Sequence, residues 1–425
     1  MKNNIVVGGG LTGIAGLKSD LFNGAELIDN HVELGGFTRS IHVDDFVFDY
    51  TGHFLHLSKF KLPSHIDKNI SDSDWDLIEK KSACYYKGKF VGAPFQYNLF
   101  DLEELANDFY QSFLDRNLDI SEEMNLENYF RSAFGELIAR EFLIPYNNKL
   151  YGCSINRFST DGLKRFFPHP DEEKILNGFK GTESALVYNS KFWYPKNNGI
   201  GLLIKALSTG VSHTYDKLEE IDLKQNIAKF SSGNSKNYSK LLSSIPLKNL
   251  AKISHFDGDF LFSNLSKNLT TSSTFALNLG FSIPFIPELQ NLHWLYISEE
   301  EFLFHRIGFY SNFNNSLAPK GCSSIYVEVG LCDNLNPNVS FLVNRILQDL
   351  SKIGFFDLSK IISMHNLWMP TSYVHFTNES TNSAKEILEK FKNFNVLSAG
   401  RYGRWEYTSM EDSIIDGFNG GERVG

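Results

Sequence analysis

Cysteine is scarce in this sequence and shows no spacing that suggests a site. Four cysteines occur among 425 residues, at positions 84, 153, 322 and 332, and none belongs to a C-x-x-C pair. A disulfide framework or a cysteine-based metal site is therefore not expected, and such thiols are typical of a reducing compartment. The sequence also lacks an apolar run of about 18 residues and a cleavable signal-peptide pattern. We expect a cytoplasmic protein with no integral membrane segment.

Positively charged residues are also in deficit: the chain has 41 Lys and Arg residues and 50 Asp and Glu residues, so its formal net charge is −9. Proteins that bind nucleic acid normally present a basic face, so nucleic acid is not an expected partner. Aromatic residues, in contrast, make up 14% of the chain. That share favours thick cores or a cleft lined by flat side chains. The length itself predicts two domains.

Strand and turn patterns alternate quickly over residues 4–57. The runs NIVV and AELID are strand-like, and LTGIAGLKSDLF between them is typical of a short helix. This order predicts a βαβ unit. Residues 101 to about 185 instead carry apolar side chains at three- and four-residue spacings, which indicate amphipathic helices. Strand-like and mixed segments follow, so we predict two domains between which the chain passes several times.

The stretch Gly8-Gly9-Gly10-Leu11-Thr12-Gly13 fits the pattern G-x-G-x-x-G between a predicted strand and a predicted helix. Such a turn brings the backbone close to a pyrophosphate that faces the helix N-terminus. Asp29 ends the second predicted strand about 20 residues further on, where an acid binds ribose hydroxyls. A glycine-rich loop and a solvated turn aspartate are the alternatives.

A second glycine pair, Gly35-Gly36, follows the predicted βαβ unit and precedes Phe37 and Thr38. A nicotinamide-binding unit has no need of this pair, whereas in flavoproteins it lets a loop lie against the same dinucleotide. An ordinary turn is the alternative. The pair therefore favours FAD over a nicotinamide cofactor.

Further short motifs follow in a fixed order along almost the whole chain. They are FDYTGHFLH (48–56), PYNNKLYG (145–152) with the later LKRF, YPKNNGIGLLIKAL (194–207), FHRIGFYSNF (304–313) and AGRYGRWEYTSMEDSIIDG (399–417). In this order they resemble the FAD-dependent superfamily that contains UDP-galactopyranose mutase, protoporphyrinogen oxidase and flavin amine oxidases.

The resemblance implies an α/β fold in which a Rossmann-type FAD-binding domain is interleaved with a mixed α+β substrate-binding domain. It places the FAD-binding domain in residues 1–75, 195–255 and 385–425, and the substrate-binding domain in residues 76–194 and 256–384. The implied FAD contacts are Gly8, Gly10, Leu11, Thr12, Gly13, Asp29, Gly35, Gly36, Phe37, Thr38, Gly52, His53, Gly400, Arg401, Glu406, Tyr407 and Thr408. The candidate catalytic residues are His53, His56, Arg306 and Tyr407, and the candidate substrate contacts are Tyr151, Arg165, Tyr310 and Arg404.

His53 and His56 lie three residues apart, beside Gly52 and aromatic residues. No acid or cysteine stands at a spacing that would complete a metal site, so no metal is expected. The resemblance places the pair against the flavin, where the pKa range of histidine suits a sensor of redox charge. A buried structural role is the alternative.

Arg306 is the candidate anion contact, because a guanidinium holds two oxygens at once and stays charged at any working pH. The matching arginine of the mutases neutralises the substrate pyrophosphate, and a structural ion pair is the alternative. Arg401 and Arg404 are expected to face the flavin pyrophosphate or pyrimidine from a helix start. Tyr407 would point into the cleft by resemblance, whereas its residue type alone favours core packing. Weaker cleft candidates are Lys149 and Lys196.

Some positions depart from the mutases: Val329 and Ser409 replace a tyrosine and an aspartate, Tyr151 replaces the tryptophan that stacks on uracil, and no clear counterpart of the mobile-loop arginine follows Arg165. These departures weaken the case for UDP-galactopyranose itself as substrate. The resemblance still favours a nucleotide-sugar mutase-like enzyme, which interconverts pyranose and furanose rings through a flavin–sugar adduct in polysaccharide or glycoconjugate biosynthesis. An FAD-dependent oxidoreductase that transfers hydride from substrate to flavin is the alternative, and a non-catalytic flavin-binding protein is the third hypothesis. The expected partner is a small molecule, and a homodimer is left open.

Overall fold

A computed structural model describes residues 3–118, 124–160, 170–182, 190–332 and 336–422. The chain begins with a strand, Ile5–Val7, a short helix, Leu11–Gly16, and a second strand, Glu26–Asp29. All three residues of the first strand are buried, as expected for a β-branched run in a sheet covered on both faces. The predicted strand–helix–strand order is therefore confirmed.

A five-stranded sheet, parallel at every pairing, lies at this end of the molecule. Its strands come from widely separated parts of the chain. In spatial order they are Val396–Ser398, Leu241–Ser243, Ile5–Val7, Glu26–Asp29 and His213–Tyr215.

The helix Met410–Phe418 packs against the helix Leu11–Gly16 on one face of this sheet. The approach is close, because a Cβ on Gly417 would stand 2.4 Å from the carbonyl oxygen of Thr12. Ser409 caps the later helix: its hydroxyl accepts from the Asp412 N–H, and Asp412 accepts in return from the Ser409 N–H.

The largest of the other sheets has seven strands. Every pairing in it is antiparallel except the parallel one between Trp294–Ile297 and Ser82–Tyr86. All 11 residues of the strand Thr271–Phe281 are buried, which identifies it as the centre of this core. The spatial order is Ile361–Val374, Thr271–Phe281, Ser323–Cys332, Arg306–Phe309, Trp294–Ile297, Ser82–Tyr86 and Lys89–Gly92.

The amphipathic patterns form helices, as predicted. Several helices begin at a side-chain cap, such as Asn125, Asn338 and Thr377, whose oxygens accept from the first-turn amides. The longer helices are Ala106–Leu114, Leu126–Phe134, Ile144–Tyr151, Glu172–Lys180, Val339–Ile353 and Asn378–Lys392, and one π-helical turn, Ala139–Leu143, precedes the third.

The remaining elements are short. A four-stranded sheet contains Ser235–Asn237, Ile227–Phe230, Leu218–Asp222 and Ser254–His255, and two strand pairs are Ser40–Val43 with Phe46–Asp49 and Trp75–Glu79 with Lys191–Pro195. Short α-helices are Glu136–Ile138, Gly201–Leu207, Leu247–Lys252, Leu265–Asn268, Tyr310–Phe313 and Gly400–Gly403. Short 3-10 turns are Gly36–Thr38, Pro63–His65, Asp72–Asp74, Phe95–Tyr97, Leu99–Leu105, Ile155–Arg157, Asn315–Leu317 and Leu358–Lys360. Among the described ranges, no helix combines the length and the apolar character needed to cross a bilayer.

Candidate functional site

A cavity of about 800 Å³ lies at the carboxyl ends of all five parallel strands. Ligands of open α/β sheets bind at this edge, where the chain leaves each strand and its loops converge. The strand-end residues that line the cavity are Val7, Asp29, Asp216, Ser244 and Gly400, and the opposite wall comes from Thr274, Arg306, Glu328 and residues 369–373 of the seven-stranded sheet.

Two glycines of the first turn have different environments. A Cβ on Gly13 would stand 1.8 Å from the carbonyl oxygen of Gly8, so Gly13 lets the helix pack directly on the turn. A Cβ on Gly10 would have no atom of the described chain within 4 Å, and Gly10 has an ordinary φ of −79°. Gly10 therefore keeps open space in the cavity, whereas Gly13 serves the packing of the fold.

The second glycine pair lies directly against the first. The Gly35 N–H donates to the Gly9 carbonyl at 2.7 Å, and a Cβ on Gly36 would stand 3.4 Å from the Gly10 Cα. Both glycines have positive φ, of 124° and 56°, which disfavours residues with side chains. The two glycine turns together form one wall of the cavity.

Asp29 ties the first turn to the end of its strand. One carboxylate oxygen accepts from the Gly9 N–H at 2.5 Å, and the other accepts from the His31 N–H at 2.7 Å. Asp29 lines the cavity, but in this structure its hydrogen bonds go to backbone amides. The ribose contact expected for it stays a prediction.

The segment after the edge strand Val396–Ser398 supplies a cation to the cavity. Arg401 donates to the Thr408 carbonyl at 2.8 Å, and its guanidinium lies 4.1 Å from the centre of the Tyr407 ring. Its contacts within the described chain include no carboxylate, so its charge is available to an anion in the cavity. The Thr408 hydroxyl is buried with no hydrogen-bond partner among the described residues.

Both predicted histidines line the cavity, and each donates from Nδ1 to a backbone carbonyl. The acceptors are Tyr50, at 2.5 Å from His53, and Lys191, at 3.0 Å from His56. Burial lowers the pKa of His53 to about 4 and lowers that of His56 as well. With Nδ1 protonated, each neutral ring keeps its acceptor lone pair on Nε2. The role of redox-charge sensor expected for the histidine pair stays a prediction.

Glu411 anchors the loop that follows these histidines. Its buried carboxylate accepts from the backbone N–H groups of Ser58, Lys59 and Phe60, at 2.7–3.0 Å, and from the Ser58 hydroxyl at 2.7 Å. The loop after His56 is thereby fixed to the helix Met410–Phe418.

Arg306 lies at the cavity wall, where it forms an ion pair with Glu328. Three hydrogen bonds of 2.5–3.0 Å join the guanidinium to the carboxylate, whose side chain is only 1% exposed. Burial raises the pKa of Glu328, but Arg306 and the adjacent His305 outweigh this and hold it at about 2. The charge of Arg306 is thus compensated within the chain. The alternative of a structural ion pair describes this arrangement better than a free anion contact.

Tyr407 also lines the cavity, with its ring stacked on that of Tyr373 at 5.9 Å. Val329, predicted above as a departure from the mutases, is buried in the strand Ser323–Cys332 and paired with Phe275. Ser409, a second predicted departure, caps the helix Met410–Phe418.

Three predicted substrate residues lie away from the cavity lining. Tyr151 is buried against Phe158 and His375. Tyr310 is fully buried, and its hydroxyl donates to the Asp49 carbonyl at 2.8 Å. These contacts assign both tyrosines to the core.

Arg404 forms hydrogen bonds to Asp416 and to the Gly421 carbonyl, and the shortest contact to each is 2.6 Å. This ion pair joins the helix Gly400–Gly403 to the C-terminal helix. Arg404 therefore contacts protein groups rather than the cavity. The fourth substrate candidate, Arg165, lies outside the described residues, as does the LKRF motif.

Four other predicted residues are also outside the lining. Glu406 directly precedes Tyr407, and its N–H donates to the Arg401 carbonyl. The amino group of Lys149 donates to the carbonyls of Ile297 and Glu299, and that of Lys196 donates to the Ser73 carbonyl. Gly13, as described above, lies beneath the turn.

Sequence reasoning missed the lining that follows the strands His213–Tyr215 and Leu241–Ser243, and it missed the acidic partner of Arg306. The residues after these strands could have been predicted as lining, because the carboxyl ends of all parallel strands lie at the same edge of a sheet. Glu328, an acid inside the apolar run IYVEVGL, also signals a buried charge that needs a partner. The missed lining residues include Asp216, Lys217, Leu218, Ser244, Ile245, Pro246, Asn249, Lys252, Ile253, Glu328, Met369 and Tyr373.

No protein-family model matches the chain. Among solved structures, reduced UDP-galactopyranose mutase superposes with a TM-score of 0.89 at 22% sequence identity, over 98% of this chain and 92% of that one. The chain has the UDP-galactopyranose mutase fold. This confirms, at the level of the fold, the resemblance inferred from the motifs.

Two other solved structures superpose on this chain with lower TM-scores. A proposed protoporphyrinogen oxidase from Exiguobacterium sp. 255-15 has a TM-score of 0.75 at 16% identity, over 98% of this chain and 97% of that one. A fatty acid isomerase from P. acnes that produces CLA has a TM-score of 0.64 at 13% identity, again over 98% and 97% of the two chains. The fold therefore carries more than one chemistry, and the function must be argued from the site.

Proposed function

We propose that the chain is an FAD-dependent enzyme and that the cavity at the sheet edge binds FAD. The observation that carries this proposal is the open space in front of Gly10, which lies between two glycine turns at the carboxyl ends of parallel strands. The Thr408 hydroxyl, which has no partner in the part of the chain that the structure describes, and the cation Arg401 fit a ligand with both polar and anionic groups. Bound FAD would supply redox and covalent chemistry that amino-acid side chains lack.

We further propose the domain boundaries given above: residues 1–75, 195–255 and 385–425 for FAD binding, and 76–194 and 256–384 for substrate. In support, all five parallel strands fall within the first three ranges. All strands of the seven-stranded sheet fall within the other two.

In this proposal particular residues of the cavity contact FAD. The turn Gly8–Thr12 and Arg401 would hold the pyrophosphate, and Asp29 would accept from ribose hydroxyls. The neutral imidazole of His53 would accept a hydrogen bond at Nε2, since its Nδ1 is held by the Tyr50 carbonyl. Tyr373 and Tyr407 would form a flat wall that excludes water from the reacting atoms.

For the reaction, we propose a nucleotide-sugar mutase-like enzyme of polysaccharide or glycoconjugate biosynthesis. The end-to-end superposition on UDP-galactopyranose mutase supports this proposal, as do the cavity positions of His53, His56 and Tyr407.

One observation favours the alternative of an FAD-dependent oxidoreductase. Glu328 already compensates Arg306, so this end of the cavity offers a diphosphate less positive charge than an unpaired arginine would. A neutral substrate that gives a hydride to the cofactor would need no such charge.

The decisive experiment measures the absorption spectrum of the purified protein and its activity on nucleotide sugars with and without dithionite. Ring interconversion only after reduction would support the mutase. Bleaching of the oxidised cofactor by an amine or porphyrinogen, without dithionite, would support the oxidoreductase. A colourless protein that cannot be reconstituted with FAD would overturn the whole proposal.

A further inference from the structure

Two of the four cysteines meet where a helix and a strand end side by side. Cys153 follows Gly152, which ends the helix Ile144–Tyr151 with a left-handed φ of 63°, and Cys332 is the last residue of the strand Ser323–Cys332. The Sγ of Cys332 lies 3.0 Å from the Gly152 carbonyl oxygen, and the two thiols are in hydrogen-bond contact. The fold thus pairs two thiols from segments 180 residues apart.

The backbone fixes this juxtaposition. A Cβ on Gly152 would stand 2.5 Å from the Cα and carbonyl carbon of Leu331, so only glycine permits the helix end to lie this close to the strand. The residues directly before the two cysteines are therefore in contact. A disulfide needs such an approach, because its bond lengths and torsions fix the distance between the two Cα atoms.

We propose that Cys153 and Cys332 form a redox-active dithiol site that closes to an intramolecular disulfide when hydrogen peroxide reaches it. Both residues are partly exposed, which gives a small oxidant access. Cys84 is buried, and Cys322 directly precedes the strand Ser323–Cys332, so it stands about 30 Å from Cys332. Neither competes for the pairing.

The reaction balances with peroxide as the only oxidant. Burial, reinforced by Cys332, raises the pKa of Cys153 to about 12, so Cys153 stays a thiol at neutral pH. The Cys332 sulfur attacks one peroxide oxygen and gives up its proton, and the O–O bond breaks to leave a sulfenic acid and a first water. The Cys153 sulfur then attacks the sulfenic sulfur, an S–S bond forms, and a second water leaves. Two thiols are oxidised, one peroxide is reduced, and a dithiol reductant reverses the change.

The disulfide would fasten the helix Ile144–Tyr151 to the strand that carries Glu328. Because it would close a loop of nearly 180 residues, it would restrict the unfolded chain strongly. We expect oxidation to raise the Tm by about 5 °C.

The test treats the full-length protein with a few equivalents of hydrogen peroxide, blocks free thiols with N-ethylmaleimide in denaturant and maps the peptides by mass spectrometry. The expected result is a cross-linked peptide that contains Cys153 and Cys332, two labelled thiols instead of four, and recovery of all four after dithiothreitol. Cys153→Ser and Cys332→Ser should each abolish the cross-link and the rise in Tm. Cys322→Ser, at the other end of the same strand, is the matched control and should keep both.

Four labelled thiols after oxidation would overturn the proposal, as would a cross-link between other cysteines or between two chains. Oxidation of Cys332 to a sulfinic acid without a cross-link would overturn it too. The mapping of the wild-type protein decides the matter even if a variant fails to fold, and none of these outcomes depends on whether FAD is bound.

Discussion

One end of the cavity is lined mainly by backbone and the other by side chains. At the glycine end, formed by Gly8–Thr12 and Gly35–Gly36, shape depends on the absence of Cβ atoms and on amide hydrogen bonds. At the charged end, formed by His53, Arg306 and Glu328, shape depends on side chains, which bond to one another in the pair Arg306–Glu328 and to the Tyr50 carbonyl at His53.

This difference separates what local sequence determines from what tertiary contacts determine. A glycine turn is encoded by consecutive residues, so its motif identifies it directly. The state of Arg306 is set by Glu328, 22 residues away on a neighbouring strand, and no local motif reports it. The variants below test whether the two ends respond to change in these different ways.

The largest effect is expected at the charged end, for Glu328→Gln. Removal of the carboxylate leaves Arg306 partly buried without a counter-charge, and this should lower the free energy of unfolding by about 3 kcal/mol in urea titrations. The double variant Arg306→Met, Glu328→Gln should recover most of that loss because no unpaired charge remains. A single-variant loss below about 1 kcal/mol would show that the pair behaves as an exposed one.

The second prediction compares two alanine substitutions at the glycine end of the cavity. Gly13→Ala should lower the free energy of unfolding by about 2 kcal/mol, because its Cβ meets the Gly8 carbonyl oxygen. Gly10→Ala should cost less than about 1 kcal/mol, yet weaken FAD binding about tenfold or more, because its Cβ enters the cavity. Urea titration and fluorescence titration with FAD check the two results. If Gly10→Ala binds FAD as the wild type does, the ligand does not approach this turn.

The third prediction concerns pH at the charged end. The pKa of His53 is lowered from 6.5 to about 4, so below pH 6.5 the unfolded chain takes up the proton first. The folded state should therefore lose about 2 kcal/mol of stability between pH 6.5 and 4 through this residue. His53→Gln should show a correspondingly smaller loss over this range, measured by urea titration at each pH. Parallel curves for wild type and variant would contradict the neutral, buried state of His53.

The smallest effect is expected for Glu411→Gln. This variant tests whether the Glu411 carboxylate stabilises the loop that follows His56. The glutamine oxygen can still accept from Ser58, Lys59 and Phe60, and only the contacts of the second oxygen are lost. We expect a loss of about 1 kcal/mol in the free energy of unfolding. Glu389→Gln, at an exposed position of another helix, is the control and should leave stability unchanged.

Local patterns predicted much of the fold. The run Ile5-Val6-Val7, the turn at Gly8 and the amphipathic residues 126–134 carry their structure in neighbouring residues, and all three form as expected. The order of strands within each sheet depends on contacts between distant segments, which spacing along the chain does not reveal.

The candidate site was predictable to the same extent. Gly8, Gly10, Gly35, Gly36 and the two histidines line the cavity as expected, whereas Gly13 lies beneath the turn. Tyr151, Tyr310 and Arg404 do not, because core packing and the ion pair with Asp416 direct them elsewhere. Residue type and motif position alone cannot distinguish a cleft arginine from one that joins two helices.

The parallel sheet also has a consequence for biosynthesis. Ser244, whose hydroxyl lies beside the carbonyl of Val7 at the end of the central strand Ile5–Val7, leaves the ribosome 237 residues after Val7. At a typical elongation rate this delay is about 10 to 50 s. During it the three apolar residues pair with at most one of their two partner strands, Glu26–Asp29. Nascent chains arrested before residue 241 should therefore be cleaved by protease near Ile5–Val7 and bind chaperones, whereas chains arrested after the strand Val396–Ser398 has emerged should resist.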